Sequence, residues 1–326
     1  MTGPVVVTGA SGFVGRAVVE RLVADGVRVR AAVRGDTLPF APTVEVMPVG
    51  ELCPGDGWEA ALRGADAVVH CAARVHRLAD DAGDPLAEFR RVNRDGTAAL
   101  ARRAAAAGVR RFVFISSIGV NGAQTFAEPF RAEDTPAPHS PYAVSKYEAE
   151  AELARVASES DLEVVRIRPP LVHGPGAPGN FAALLRAVDR GLPLPLGAIH
   201  NRRSFVAIGN LVDLIVLALH HPAAPTRVWL VSDDEDLSTP ELIRGMARAL
   251  GRPARLVPVP SGWLRLALRL AGRADTGQRL CASLVLDVAD TRRLLGWQPR
   301  IGVQAALVDA ARHYLAARSS NRSATG

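Results

Sequence analysis

Lysine is nearly missing from this chain. Of the 39 basic side chains in its 326 residues, all but Lys146 are arginine. A bias in the coding sequence accounts for arginine elsewhere, so the one position that kept lysine stands out. Aromatic residues are also scarce, at 5%. The net charge of +6 is scattered, with pairs such as Arg102-Arg103 and Arg110-Arg111 at apparent helix ends, and no basic stripe carries interleaved aromatics. That argues against a nucleic-acid footprint and for solvated surface, with a basic pocket for an acidic small molecule left open. The three cysteines, Cys53, Cys71 and Cys281, are odd in number and widely spaced. They suggest no disulfide framework and no zinc pattern, and so a reducing cytoplasm. No apolar run approaches the ~18 residues that span a bilayer. The N-terminus enters a strand-like "PVVVTGASG" directly, unlike a signal peptide. We find no internal repeat.

What the chain has in quantity is apolar residues, 48%, ample for a large core. In the first half, short β-branched runs at 5–8, 27–33, 67–71, 111–115 and 163–168 alternate with helical patterns at 14–24, 86–107 and 141–158. Near-continuous apolar strands alternating with helices predict an α/β, Rossmann-type, doubly wound parallel sheet covered on both faces. After Pro169-Pro170 the texture changes to "HGPGAPGN" and "RGLPLPLGA". We therefore expect a dinucleotide-binding domain over 1–170 and a smaller C-terminal α/β substrate lobe over 171–317, interleaved with the end of the sheet. A polar, disordered tail over 318–326 completes the expectation. "SGWLRLALRLAGR" at 261–273 is amphipathic, and reads as a helix packed on the small lobe rather than one lying on a membrane surface.

"VVVTGASGFVGRAVVERL" sets Gly9, Gly12 and Gly15 between a strand and a helix. One glycine serves the tight turn, one the close approach of backbone to a pyrophosphate, and one the close packing of helix on strand. The helix N-terminus that follows offers N–H groups and a positive dipole end to phosphates. The spacing is GxxGxxG, and the strand before and helix after give it the context of a dinucleotide site. At the end of the second strand, where NAD-binding proteins usually place an acid for the ribose 2′-OH, stands Arg34. A guanidinium suits a 2′-phosphate, so NADP(H) is expected. NAD(H) is the alternative, with Asp36 doing the acidic job.

The lone lysine lies four residues after Tyr142 in "SPYAVSKYEAE", one helical turn away on the same face. Pro141 suits the first turn of that helix and Ser140 its cap. An ammonium beside a phenol favours the phenolate, so Tyr142 is expected to have a lowered pKa and to exchange a proton near neutrality. Lysine's compact charge suits this slot better than arginine's flat fork. Upstream, "RFVFISSIGVNG" reads as a buried strand ending in Ser116 and Ser117, where ligands of a parallel sheet collect. A hydroxyl there would align a substrate oxygen with Tyr142.

With "TGASGFVG", "DAVVHCAA", "VNRDGTAALARRAAAAGVRRFVFISS", "PYAVSK" and "LGW" before Gln298-Pro299, the chain resembles an extended short-chain dehydrogenase/reductase of the NAD-dependent epimerase/dehydratase group. The resemblance runs over about 5–299. It implies a Ser–Tyr–Lys catalytic set at Ser117, Tyr142 and Lys146. It implies cofactor contacts at Gly9, Ser11, Gly12, Phe13, Val14, Gly15, Glu51, Leu52, Ala72, Ala73, Asn93, Ser116 and Pro169, beside Arg34. Glu51 stands in a Gly50-Glu51-Leu52 stretch where Gly-Asp-Leu is usual. The second half resembles the nucleotide-sugar branch, which implies substrate contacts at Asn180, Arg203 and Arg279 and a homodimer formed through 86–107 and 141–158. Asn121 stands in "VNG" where tyrosine is usual, which argues against a plain UDP-galactose-type 4-epimerase. Within that branch the chain resembles UDP-4-keto-6-deoxy-N-acetylhexosamine C4 reductases of surface-polysaccharide synthesis, and this resemblance, with the catalytic set and Arg34, implies NADPH-dependent reduction of the C4 ketone of a UDP-4-keto-6-deoxy-N-acetylhexosamine. The alternatives are a UDP-hexose or UDP-N-acetylhexosamine 4-epimerase with tightly bound NAD, and a non-catalytic NAD(P)-sensing module. "SSIGVNG" lacks the carboxylates a dehydratase wants after its serine.

Overall fold

Runs of valine, isoleucine and phenylalanine build the main sheet. The computed structural model describes residues 2–35, 40–52, 55–75, 84–272 and 274–323. Its strands are β1 (Val5–Thr8), β2 (Val29–Val33), β3 (Glu45–Pro48), β4 (Ala67–His70), β5 (Arg111–Ile115), β6 (Glu163–Arg168), β7 (Leu171–His173), β8 (Phe205–Ala207) and β9 (Val228–Leu230). Seven of them form one sheet in the order β3-β2-β1-β4-β5-β6-β9, and β7 pairs with β8 in a second. Every pairing is parallel. The central strands β1, β4 and β5 are buried along their whole length, as strands covered on both faces must be. Each apolar side chain so placed contributes about 1.5–3 kcal/mol relative to exposure.

Helices Phe13–Ala24 and Ile208–His220 cover one face, where Val18, Leu22, Leu211 and Ile215 meet β1 and β5. Helices Gly96–Ala106 and Pro141–Ser158 cover the other through Leu100, Ala104, Leu153 and Val156. The strand order reverses between β1 and β4, and the crevice beyond the carboxyl ends of these two strands is where such sheets bind ligands. A separate apolar cluster, including Phe181, Leu185, Leu242, Met246, Leu307 and Ala311, forms the core of the small lobe. The lobes are interleaved, since β9 returns to the main sheet after β7 and β8 have left it. Among the described residues no helix is long and apolar enough to cross a membrane.

Two expectations need correction, and a third holds with an addition. The single helix expected over 86–107 is a short helix Pro85–Phe89, a π-helical stretch Arg90–Asp95 and the helix Gly96–Ala106. The tail expected to be disordered from Arg318 continues the helix Val303–Ser323, anchored by an ion pair between Arg318 and the buried Asp189. The amphipathic helix Ser261–Leu270 packs on the small lobe through Leu264 and Leu268, but its Trp263, Leu266 and Leu270 are exposed.

Candidate active site

The glycine loop stands at the reversal point of the sheet. Gly9 has φ +62°, a left-handed conformation that penalises any side chain, and a Cβ there would come within 2.7 Å of the Ala72 nitrogen. A Cβ on Gly15 would come within 2.2 Å of the Gly9 carbonyl oxygen, so the helix can start this close to β1 only with glycine. The Thr8 hydroxyl accepts from the Ala72 N–H at 3.1 Å and meets His70 Nδ1 at 2.7 Å, tying the turn after β4 to the end of β1. Helix Phe13–Ala24 has no acid in its first turn and no side-chain cap among the described residues. An anion-accepting N-terminus, a backbone cradle that a Cβ would fill and an exposed Ser11 and Gly12 at its mouth fit the diphosphate of a dinucleotide. Val14 packs into the sheet's core, whereas Phe13 packs against the small lobe and so joins the two lobes at the loop.

Arg34 is exposed just past β2, and Asp36 lies outside the described residues. Glu51 is held below the usual carboxylate range by its hydrogen bond and ion pair with Arg91 at 2.5 Å, with the positive charge of Arg34 adding to the effect. Leu52 is buried against Gly96, where a Cβ would come within 2.6 Å of it. Ala72 and Ala73 are half-buried in the turn after β4. Asn93, in the π-helical stretch, is buried and spends its amide on structure. It accepts from the Arg74 N–H at 2.8 Å and donates to the Arg74 carbonyl at 3.1 Å and to Ser145 Oγ at 3.0 Å. It thus braces the β4 turn against the helix that carries Tyr142 and Lys146.

That helix begins as the sequence suggests, with Pro141 in its first turn and the Ser140 hydroxyl accepting from the Ala143 N–H at 3.2 Å. Ser117 is fixed between two backbone bonds to the end of β6, Ser116 N–H to Ile167 O at 2.8 Å and Ile118 N–H to Pro169 O at 3.0 Å. Its hydroxyl oxygen accepts from the Gly119 N–H at 3.1 Å, which leaves the hydroxyl proton as the group it offers a ligand. A Cβ on Gly119 would lie 3.3 Å from Ala143 Cβ and 3.4 Å from Ser117 Oγ, so the serine turn and the first turn of the tyrosine helix are packed together. Tyr142 is half-buried with its ring edge-on to Phe89 at 6.1 Å.

The expected lowering of the Tyr142 pKa is not what the structure gives. Burial pushes the phenol up to about 12. The reason lies in where the lysine amine goes. Lys146 is buried and donates to the Ile115 carbonyl at 2.7 Å, with its ammonium 4.4 Å from the Phe114 ring centroid. Burial brings that amine down to about 8, against the charge of Glu150. Its field also reaches His70, which burial and then the Lys146 charge hold down to about 3. His70 is therefore a neutral ring, with Thr8 on Nδ1 and Thr97 at 2.9 Å on Nε2.

A buried ionic network under the site escaped the sequence reading. Glu150, one turn beyond Lys146, accepts from Ser116 Oγ at 2.5 Å and pairs with Arg168 through bonds of 2.6 and 2.9 Å. Arg168 also donates to Asn121 Oδ1 at 2.8 Å, and the Asn121 amide donates to the Arg131 carbonyl at 2.7 Å. Asn121, in the place of the usual tyrosine, is thus a buried partner of Arg168. The available signals were a glutamate at i+4 from Lys146 and an arginine at the end of an apolar strand.

In the small lobe Arg203, expected at a substrate diphosphate, reaches the backbone of Arg279. The half-buried Arg203 guanidinium donates to the carbonyls of Arg279 at 3.0 Å and Ala282 at 2.9 Å, and burial followed by the Arg279 charge holds it below its usual pKa. No carboxylate pairs with either arginine among the described side chains. Two neighbouring guanidiniums fit an anion such as a diphosphate. Asn180 is exposed in the first turn of helix Gly179–Asp189. The 280–282 segment is held by Asn201, another residue the sequence reading missed, which donates to the carbonyls of Leu280 and Ala282, each at 3.2 Å.

Comparison with known proteins bears on this arrangement. The NAD dependent epimerase/dehydratase family model matches residues 5–231. The chain is 42% identical to a UDP-glucose 4-epimerase of Vibrio cholerae over 98% of both chains. It is 30% identical to an N-acetyl-alpha-D-glucosaminyl-diphospho-ditrans,octacis-undecaprenol 4-epimerase of Escherichia coli O157:H7, over 81% of this chain and 78% of that one. A solved structure of MoeE5 in complex with UDP-glucuronic acid and NAD superposes with a TM-score of 0.78 at 25% identity, covering 97% of this chain and 100% of the other.

Proposed function

We propose a UDP-sugar 4-epimerase, from the premise that this chain belongs to the NAD-dependent epimerase/dehydratase family. The observation that carries the reading is the end-to-end likeness, 42% over 98% of both chains, to a UDP-glucose 4-epimerase. The expectation of a ketoreductase rested in part on Asn121, and the partnership of that residue with Arg168 gives it a structural reason instead. Gly9, Gly12, Gly15, Ala72, Ala73 and Lys146 would hold NAD in the crevice, where it would supply a reversible hydride acceptor. Ser117 donates to the C4 oxygen of the sugar and holds it toward Tyr142. Tyr142 takes the C4 hydroxyl proton as the C4 hydride departs, then returns a proton to the oxygen after the 4-keto sugar has presented its other face. With proton and hydride both restored, the sugar would be inverted at C4 with no net redox change. Lys146 would hold the nicotinamide ribose and, once the crevice is filled, add its charge to that of the oxidised cofactor in favouring the ionised phenol. Arg203 and Arg279 keep the diphosphate in place while the hexose turns. The same reading includes a homodimer through 86–107 and 141–158, and a cytoplasmic enzyme.

One observation favours a second reading, NADPH-dependent reduction of a UDP-4-keto-6-deoxy sugar. Arg34 is exposed past β2, where a 2′-phosphate would be met. The two are separated by incubating purified protein with UDP-glucose or UDP-N-acetylglucosamine without added cofactor and following C4 inversion by NMR. Inversion without reductant supports the epimerase. Consumption of NADPH with a 4-keto sugar, and no inversion, supports the reductase. In either case Tyr142→Phe should abolish turnover and spare cofactor binding, and full turnover by that variant would overturn the catalytic assignment.

A further inference from the structure

Helix Ser261–Leu270 has apolar side chains on two opposite sides. Leu264 and Leu268 face the small-lobe core. Trp263, Leu266 and Leu270, at i, i+3 and i+7, form a second stripe with exposures of 71%, 50% and 80%. Large apolar residues normally escape water when an alternative exists, and a contiguous exposed stripe marks an interaction surface. Arg265 and Arg269 are exposed on the same helix. Charge distinguishes this region from the rest of the chain. The whole chain has 39 basic against 33 acidic side chains, whereas 242–281 carries eight arginines and one carboxylate, Asp275.

We propose that this helix docks the protein on the surface of an anionic phospholipid membrane, lying in the interface plane. The stripe of one tryptophan and two leucines enters the boundary between headgroups and acyl chains, and the arginines meet lipid phosphates. This is peripheral binding, reversible and without a spanning segment. The charge excess of the region selects an anionic surface, because a second copy of this chain would bring the same arginines against its own. Docking is mechanically close to the substrate side. Helix Ala274–Cys281 packs on the docking helix at Gly277, where a Cβ would lie 3.4 Å from Leu268 Cδ1, and the Arg279 carbonyl on that same helix receives the Arg203 guanidinium. Membrane binding therefore acts on the elements that fix the two anion-binding arginines.

The tryptophans make the test direct. Trp58, Trp229 and Trp297 are each 2% exposed, so Trp263 is the one whose emission answers to the surroundings. The full-length protein is mixed with vesicles of phosphatidylcholine, or of equal parts phosphatidylcholine and phosphatidylglycerol, and followed by co-sedimentation and fluorescence. Binding and a blue shift are expected with the mixed vesicles and not with phosphatidylcholine alone. Leu266→Asp with Leu270→Asp should weaken binding at least ~10-fold through loss of apolar insertion. Arg265→Glu with Arg269→Glu should weaken it about fivefold or more for each arginine. Both pairs should keep the far-UV spectrum and the turnover of soluble substrate. Absence of binding to mixed vesicles would overturn the proposal. So would loss confined to the charge-reversed pair, which would mean adsorption without insertion. A blue shift that grows with protein concentration in the absence of vesicles would assign the stripe to a second copy and would also overturn it.

Discussion

The Glu150–Arg168 pair gives a prediction whose size can be worked out from the structure. Both side chains are buried, at 3% and 4% exposure. Arg168 gives Glu150 two hydrogen bonds and Asn121 a third. Arg168→Met keeps the apolar volume and removes all three. Among the described residues Glu150 is then left with only Ser116 as a donor, and Asn121 Oδ1 loses Arg168. Stranding one member of a buried ion pair costs about 3–5 kcal/mol, and an orphaned neutral acceptor adds about 1 kcal/mol or more. The double variant Glu150→Leu with Arg168→Met removes both charges, and such replacements are often neutral within about 1–2 kcal/mol. Urea unfolding of the wild type, both single variants and the double variant closes a cycle, in which a coupling of at least ~2 kcal/mol is expected. Unfolding monitored in parallel by fluorescence and circular dichroism checks that one transition is being measured. The single variant should also lose turnover, because Glu150 holds Ser116 next to Ser117 and lies one turn from Lys146. An Arg168→Met cost below about 1 kcal/mol would refute the reasoning, since it would mean that water already reaches the pair.

Four further outcomes are expected. Gly15→Ala, whose Cβ would come within 2.2 Å of the Gly9 carbonyl oxygen, should push the helix off β1 and weaken NAD binding more than ~10-fold by calorimetry. The Lys146 amine, brought down to about 8 by burial, is charged below that pH, so kcat should fall as pH rises through about 8 if the ammonium is what supports Tyr142. The same group affects stability with the opposite sign. Its ordinary value is 10.5, so between about 8 and 10.5 the unfolded chain binds more protons than the folded one, and this contribution to stability grows with pH while activity is being lost. Lys146→Met should lack that rising contribution in pH-dependent urea unfolding. Arg203→Ala should raise KM for the UDP-sugar about 10- to 100-fold, the scale of a charge-assisted contact, with little change in kcat.

How far the sequence could be read depended on whether a residue's role is local. The five first-half strands and the helix Pro141–Ser158 were legible because β-branched runs, Pro141 and Ser140 carry their own signals. The glycines were legible because a tight turn and a phosphate cradle both need them. β3 was missed because it is an edge strand with exposed side chains, so no continuous apolar run marks it, and β9 because three residues hold too little pattern. The break in the 86–107 helix was hidden by alanine-rich periodicity on either side of the π-helical stretch that places Asn93. The dependence is clearest at the lone lysine. Spacing alone put Lys146 beside Tyr142, and that much agrees with their shared helix. The direction of the phenol's shift did not follow from spacing, because it depends on the depth of the site and on the Ile115 carbonyl, 31 residues away in sequence, that takes the lysine's proton donor. A buried ammonium already bound to a carbonyl does not by itself lower a buried phenol. Ionisation of Tyr142 near neutrality needs positive charge added at the crevice when ligands bind. An oxidised nicotinamide bound beside the phenol would supply such a charge.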